Sequence, residues 1–236
     1  MGRVGRPRSP DFLSRLLDAA LDVFGERGLK AARIADIADR MGAAHGTVYN
    51  YVDSKDALFW LLVDRGLVPE NLPLPDALPV KAPPQHQVLA RLAEQVSTSF
   101  ALPALDAAVG RKRVTDARGE LIRIIEELYD RTAETRRFAS AFERSALDLP
   151  DLYQLFFVKV RRALFDRVEQ YIAARAQRGH VRVRLSHEVA ARYLVETVTF
   201  FARHRHRDPD PMRTADGDVR AQVVELLAQS FVPEES

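Results

Sequence analysis

The 236-residue sequence contains no cysteine. This absence excludes a disulfide framework, cysteine-based zinc sites and thiol catalysis, and it is typical of a reducing compartment. Long apolar runs are also missing, since the longest, residues 57–63, is far shorter than the ~20 residues of a membrane-spanning helix. The first residues are basic but no apolar stretch follows them, so they do not form a secretory signal. We therefore expect a cytoplasmic protein with no membrane partner.

A large excess of one charge is missing as well. The chain carries 35 Lys and Arg against 33 Asp and Glu, a formal net charge of +2. Bulk charge therefore does not indicate nucleic-acid binding, and any basic surface must be local. The hydrophobic fraction of 47% and the charged fraction of 29% are typical of a globular protein of one or two domains.

Motifs that carry catalysis or hold cofactors are absent too. The sequence has no phosphate-binding loop, no Gly-rich dinucleotide turn and no Ser-x-x-Lys, and His187-Glu188 lacks the second histidine of a zinc motif. His204 and His206 are two residues apart and point to different sides of a helix, which argues against a shared metal site. We interpret them and the neighbouring arginines as cations that the helix dipole stabilises at a helix C-terminus. We expect no enzyme activity, no catalytic residue, no cofactor and no metal.

Strand signals are nearly absent, and the sequence predicts an all-α fold. Only residues 180–185 alternate, and we interpret them as an extended linker because strands seldom occur alone. The first helix is predicted over residues 10–26, with Ser9 as N-cap, Pro10 in the first turn and Gly28 as the stop. Apolar periodicity predicts further helices at 34–41, 47–52, 54–65, 85–101, 117–132, 135–148, 151–178, 186–206 and 218–231.

Six prolines in residues 69–84 exclude a helix there. This loop separates a small leading module from the bulk of the chain. A plain connector is the simpler interpretation, and a PxxP-type ligand is the alternative.

Residues 33–52 have the dimensions of a helix-turn-helix, with a Gly-containing break between two short helices. Apolar side chains on both helices are expected to pack inward, at Ile34, Ile37, Ala38, Val48 and Val52. Small or hydrogen-bonding side chains remain for the outer face of the second helix, at His45, Gly46, Thr47, Tyr49 and Asn50. Such side chains suit base edges and phosphates in a major groove.

Four runs of sequence, in this order and spacing, resemble the DNA-binding domain of the TetR family. They are Ala-Ala-Leu-Asp-Val-Phe-Gly-Glu-Arg-Gly (19–28), Ile-Ala-Asp-Arg-Met-Gly (37–42), Gly-Thr-Val-Tyr-Asn-Tyr-Val (46–52) and Ser-Lys-Asp-Ala-Leu (54–58). The resemblance implies a basic arm at residues 1–9 and a three-helix DNA-binding domain at residues 10–66. It also implies a helical ligand-binding and dimerisation domain at residues 67–236.

The resemblance also implies which residues contact DNA. Tyr49 and Lys55 match positions that contact phosphates in the family, although Tyr49 also suits half-buried packing and Lys55 a solvated helix turn. Arg6 and Arg8 flank a proline in a segment that resembles a minor-groove arm, with a disordered basic tail as the alternative. The predicted DNA-binding residues are Arg6, Arg8, Arg33, Ala44, His45, Gly46, Thr47, Tyr49, Asn50, Tyr51 and Lys55.

The chain departs from the family pattern at both helix starts. Ala32-Arg33 and Ala43-Ala44 stand where the family usually has Ser or Thr, and Val52 replaces the usual Phe. A lost N-cap costs about 1 kcal/mol and removes a hydroxyl that bonds phosphate, for which Arg33 is expected to compensate.

The aromatic residues after the proline loop are interpreted mainly as core. Since the family's regulatory domain encloses a ligand, the resemblance implies that some of them line a pocket for an apolar or aromatic effector. The polar candidates suit solvated surface equally. The predicted pocket residues are Phe100, Arg123, Glu126, Tyr129, Phe138, Phe142, Tyr153, Phe156 and Thr197, with Glu143 as a further polar candidate.

The last two long helices are apolar nearly all round, so both sides must be covered. In the family the corresponding helices pair with their copies around a two-fold axis, which implies a homodimer here. The predicted interface residues are Val189, Tyr193, Thr197, Phe200, Phe201, Val219, Val223, Leu226, Leu227 and Phe231.

Together these patterns predict a ligand-responsive transcriptional repressor that binds a palindromic double-stranded DNA operator. A sequence-nonspecific architectural DNA-binding protein is the alternative. Near-neutral net charge and a large apolar domain argue against it.

Overall fold

The computed structural model describes residues 8–66, 73–111, 113–184 and 186–232. Within these ranges the regular structure is helical, and the β-type pairing is an isolated parallel bridge between Val52 and Val80. The all-α prediction is confirmed.

Twelve α-helices follow one another in the described residues. They are α1 (Pro10–Ala31), α2 (Ile34–Met41), α3 (His45–Val48), α4 (Lys55–Arg65), α5 (Gln85–Ser99), α6 (Pro103–Gly110), α7 (Ala117–Glu134), α8 (Arg136–Ala146), α9 (Pro150–Tyr153), α10 (Arg162–Ala176), α11 (His187–Ala202) and α12 (Asp216–Phe231). A π-helical segment, Gln154–Arg161, joins α9 to α10, and a 3₁₀ turn, His204–Arg207, follows α11. The sequence predicted neither α6 nor the π-helical segment.

Capping residues and a glycine are found at several helix ends, close to the positions predicted from the sequence. The Ser9 hydroxyl accepts the Phe12 N–H at 3.4 Å, with Pro10 at the first helical position. Ser54 caps α4 through the Ala57 N–H at 3.1 Å. Gly28 (φ 75°, ψ 162°) interrupts the helical dihedrals near the end of α1, a backbone region that is essentially restricted to glycine.

The chain divides into two compact units. The first comprises Met1–Thr98 and Arg137–Phe157, as far as they are described, and the second comprises Ser99–Arg136 and Val158–Ser236. These units do not follow the predicted boundary between residues 66 and 67. The functional division into DNA-binding and regulatory parts stays a prediction.

Helix α8 belongs to the first unit, far in sequence from that unit's helices α1 to α5. Phe142 packs against Phe59 of α4 and Phe138 with ring centroids 4.8 and 4.3 Å away, and Phe59 contacts Phe24 of α1. Arg137 donates to Asp18 at 2.7 Å and to Asp22 at 3.1 Å, both on α1. Helix α8 therefore helps to hold α1 and α4 in place.

The second unit has its own core, formed by α6, α7, α10, α11 and α12. A buried ion pair lies in it. Arg175, fully buried on α10, donates to Glu120 of α7 at 2.7 Å and to the Ala108 carbonyl of α6 at 2.7 Å. Because removal of one partner leaves an uncompensated buried charge, this pair fixes three helices relative to one another.

None of the described helices is long and apolar enough to cross a membrane. In the same residues, no group of three or more His, Asp and Glu side chains is arranged to hold a metal ion.

Candidate nucleic-acid interface

A left-handed glycine makes the turn between α2 and α3. Gly42 (φ 63°, ψ 35°) ends α2, and the Ala43 N–H donates back to the Ala38 carbonyl at 2.9 Å. This satisfies a carbonyl at the helix end and turns the chain sharply, as glycine does at this position. Helix α3 begins three residues later.

Helix α3 and the turn after it are anchored from one side. Val48 and Val52 are fully buried, and they lie four residues apart on the inner face. The opposite face, at Ala44, His45, Gly46, Tyr49 and Asn50, is exposed, and Tyr49 retains 51% of its accessible surface. Thr47 is half-buried. The structure thus presents five of the eleven residues predicted to contact DNA on one outward-facing surface.

Two of these residues are held by neighbouring acids. The His45 Nε2 lies 3.2 Å from Asp39 Oδ1, one helix away. At the start of α2, the Arg33 backbone N–H donates to Asp36 Oδ2 at 3.0 Å, so Asp36 satisfies one backbone donor where a Ser or Thr cap is missing. The Arg33 side chain itself is exposed.

The Tyr51 side chain, predicted to contact DNA, is buried in the first unit, and its DNA contact stays a prediction. Tyr51 is 3% exposed, stacks on Phe12 with centroids 4.8 Å apart, and accepts the Ser9 N–H at 2.8 Å through its hydroxyl. Its position three residues after Val48 places it on the inner face. Tyr51 therefore joins the start of α1 to the end of the helix-turn-helix.

Lys55 has a structural role that the sequence did not reveal. Its ammonium donates to the carbonyls of Lys30 at 2.8 Å and Ala32 at 3.2 Å, at the C-terminus of α1. A cation there stabilises the helix end. An ammonium has three donors, so one remains for a phosphate, and the predicted phosphate contact stays a prediction.

The basic arm is only partly described. Arg8 is exposed just before α1, and Arg6 lies outside the described residues.

The structure does not bring the predicted pocket residues together within one unit. Phe138, Phe142, Tyr153 and Phe156 belong to the first unit, and Phe100, Arg123, Glu126, Tyr129 and Thr197 belong to the second. Phe138 and Phe142 are core residues, whereas Arg123 and Tyr153 are exposed, and the role of these four in a pocket stays a prediction.

The other predicted pocket residues either contact a neighbouring helix or are partly exposed. Glu126 pairs with Arg220 of α12 at 3.2 Å, and the buried Tyr129 donates to the Phe201 carbonyl at 3.4 Å. Thr197 and Phe100 are half-buried, as is Phe156 in the first unit. The pocket composition stays a prediction for these residues.

The predicted dimer residues separate into two groups. Val189, Tyr193 and Phe200 on α11 and Leu226 on α12 retain 50%, 43%, 44% and 56% of their surfaces. Thr197 and Phe201 are half-buried. By contrast, the chain's own core already buries four predicted interface residues of α12, and their place in an interface stays a prediction: Val219, Val223, Leu227 and Phe231. One face of α12 packs on α7 and α11, which uses those side chains.

Residues 16–60 match the model described as "Bacterial regulatory proteins, tetR family". Over 45 residues, 19% of this chain, the sequence is 44% identical to the HTH-type transcriptional repressor KstR2 of Rhodococcus jostii, of which the match covers 22%. A tetR-family regulatory protein from Rhodococcus RHA1 shares the fold at a TM-score of 0.54, with 18% identity over 94% of this chain and 98% of that one. Residues 16–60 therefore form a DNA-binding segment of the tetR type.

A second solved structure, the ketosteroid transcriptional regulator KstR2 of Mycobacterium tuberculosis, aligns at a TM-score of 0.58 with 16% identity over 98% of both chains. At such identities the likeness concerns the fold alone. The sequence match to the curated relatives spans under a quarter of their length.

Proposed function

We propose that this protein is a cytoplasmic transcriptional repressor of the TetR family that binds a palindromic double-stranded DNA operator as a homodimer. In this proposal a small apolar or aromatic effector releases it. The observation that carries the proposal is the exposed polar face of α3, fixed from behind by buried Val48, Tyr51 and Val52. Helix α3 and the turn after it, held in this way, present His45 and Asn50 to base edges at little conformational cost.

The exposed apolar surface on α11 and α12 supports the homodimer. Val189 and Tyr193 lie four residues apart on α11, and the Tyr193 hydroxyl is 3.4 Å from Ser230 Oγ on α12 beside Leu226. Side chains of this size exposed together on adjacent helices are typical of an interface. A two-fold pair would hold two recognition helices about one DNA turn apart.

Release by an effector is proposed as a population shift. The ligand must bind a conformation with a different spacing of the α3 helices more tightly than it binds the DNA-bound conformation. Because the name of the M. tuberculosis neighbour refers to ketosteroids, these are the first apolar compounds to test.

Nonspecific architectural binding is the alternative function. A specific regulator gains affinity from base contacts, whereas an architectural protein binds every duplex through phosphates. The net charge of +2 favours the specific regulator, because phosphate attraction alone is weak for such a chain.

The test is selection of bound duplexes from a random pool by the full-length protein, followed by salt-titrated binding to the selected and a scrambled duplex. The proposal predicts a palindromic consensus and a preference for it of at least ~10³-fold. Equal affinity for both duplexes at every salt concentration would favour the architectural alternative.

A further inference from the structure

The proline-containing segment from Pro73 to Pro84 returns to the helix-turn-helix. The Val80 N–H donates to the Tyr51 carbonyl at 2.8 Å, and the Asp53 N–H donates to the Val80 carbonyl at 3.1 Å. These two bonds form the parallel bridge opposite Val52. We call residues 73–84 the strap, because they are fastened directly behind the C-terminal end of α3.

We propose that the strap is a second DNA-contacting element and that Lys81 binds a backbone phosphate beside the recognition helix. This inference rests on the proposed DNA binding. Its basis is the pairing of Val80 with the residues that follow Asn50.

The pairing fixes where Lys81 lies. In a parallel bridge centred on Val52 and Val80, the next residues, Asp53 and Lys81, are neighbours at about the 4.8 Å spacing of paired strands. Asp53 comes three residues after Asn50. The flexible four-carbon stem of Lys81 therefore starts at the edge of the exposed α3 surface.

The exposed side chains around this edge include carboxylates, so a cation is needed there if the edge is to bind a phosphate. Asp53 and Asp56 are exposed there, whereas the Lys55 ammonium is bound to carbonyls of α1. Lys81 is exposed, and in the described part of the chain it has no ion pair or hydrogen bond. Its ammonium therefore offsets the local carboxylates and is available to a phosphate.

The composition of the strap suits this role. Five prolines, at Pro73, Pro75, Pro79, Pro83 and Pro84, restrict the backbone on both sides of Lys81. A restricted backbone loses less conformational entropy when the lysine binds, so a single contact from such a loop is effective. A connector alone would need neither the two hydrogen bonds nor the exposed lysine.

The test compares full-length variants on the selected operator by fluorescence anisotropy across a range of salt concentrations. Lys81→Ala is expected to weaken operator and scrambled DNA alike, by roughly tenfold at low salt. It should also reduce the slope of log K against log salt by about 1 for each subunit on the DNA. Lys81→Arg should retain both. Lys159→Ala, which removes the same charge at another exposed lysine, is the matched control.

A second variant tests the placement of the lysine. Val80→Pro removes the N–H that bonds the Tyr51 carbonyl, and it should reduce the salt slope as Lys81→Ala does. The double variant should show little further loss, because the two changes remove one interaction. Thermal melting of each variant shows whether the fold is retained.

The outcomes separate this inference from the proposed function. If Lys81→Ala matches Lys159→Ala in affinity and slope while Asn50→Ala loses base preference, the regulator is specific and the strap inference is wrong. If the wild type shows no sequence preference, the proposed function fails, and the slope change still tests Lys81. Absence of any DNA binding would overturn both.

Discussion

The backbone N–H of Leu29 donates to the side-chain oxygen of Ser145 at 3.0 Å, across 116 positions of sequence. Leu29 follows Gly28, whose positive φ interrupts α1, and Ser145 is fully buried on α8. A Cβ at Gly28 would lie 3.2 Å from the Arg144 carbonyl oxygen, so α8 packs tightly against this interruption. The DNA-reading unit therefore depends on a helix from the later part of the chain.

Replacement of this hydroxyl should destabilise the first unit. Ser145→Ala leaves the buried Leu29 N–H without its partner, which we expect to lower the free energy of unfolding by about 1–3 kcal/mol. Urea denaturation followed by circular dichroism measures this loss. Ser97→Ala, at an exposed serine of α5, is the control and should change stability little. Equal effects of the two changes would show that the Ser145 contact is unimportant.

The two tyrosines around Asn50 should have opposite roles. Tyr51→Phe removes the acceptor of the Ser9 N–H and should lower stability by about 1 kcal/mol without changing base preference. Tyr49→Ala removes an exposed side chain and should weaken binding to all DNA sequences while leaving stability nearly unchanged. Paired measurements of melting and DNA affinity test this. A DNA-binding defect confined to Tyr51→Phe would contradict the assignment.

A charge on the exposed apolar surface should separate the proposed dimer. Leu226→Glu places a carboxylate where the two copies are expected to meet, and burying it there without a partner is costly. Sedimentation velocity should show a dimer for the wild type and a monomer for the variant. Met212→Glu, at another exposed apolar residue, should remain dimeric. A wild type that sediments as a monomer would exclude the dimer altogether.

His206 should make the fold less stable in acid. Desolvation lowers the pKa of His206, as do the nearby guanidinium groups of Arg136 and Arg205, against the opposing effect of Asp216. Because the folded pKa lies below the unfolded value of about 6.5, stability is unaffected above that value. It falls as pH decreases from there through the lower folded pKa. His206→Gln should lose less stability between pH 8 and pH 5 than the wild type does, and His187→Gln serves as control. Identical pH profiles for His206→Gln and the wild type would contradict this.

Local signals made the helices of the DNA-binding segment predictable. Ser9, Gly28, Gly42 and Ser54 act on backbone groups within a few residues, so their effects can be inferred from sequence order alone. The outward face of α3 follows from helical spacing for the same reason. The burial of Tyr51 was not predicted, because its partners, Phe12 and the Ser9 N–H, are about forty residues away.

Contacts between segments that are distant along the chain could not be predicted from the sequence. Nothing near Ser145, Val80 or Arg175 signals its partner, since each bonds a backbone or carboxylate group far along the chain. The division of α12 into a core face and an exposed face also depends on which helices cover it. An apolar pattern predicts that a helix face is buried, but it does not show which helix or which copy of the chain covers that face.

The claim that the exposed face of α3 reads bases is tested most directly by comparing wild type and Asn50→Ala on a library in which each operator position is randomised. The account predicts that Asn50→Ala loses preference only at positions related by symmetry in the two half-sites, and that the remaining positions keep theirs. Unchanged preferences at every position, with Asn50 exposed as it is here, would show that another surface of the protein selects the DNA.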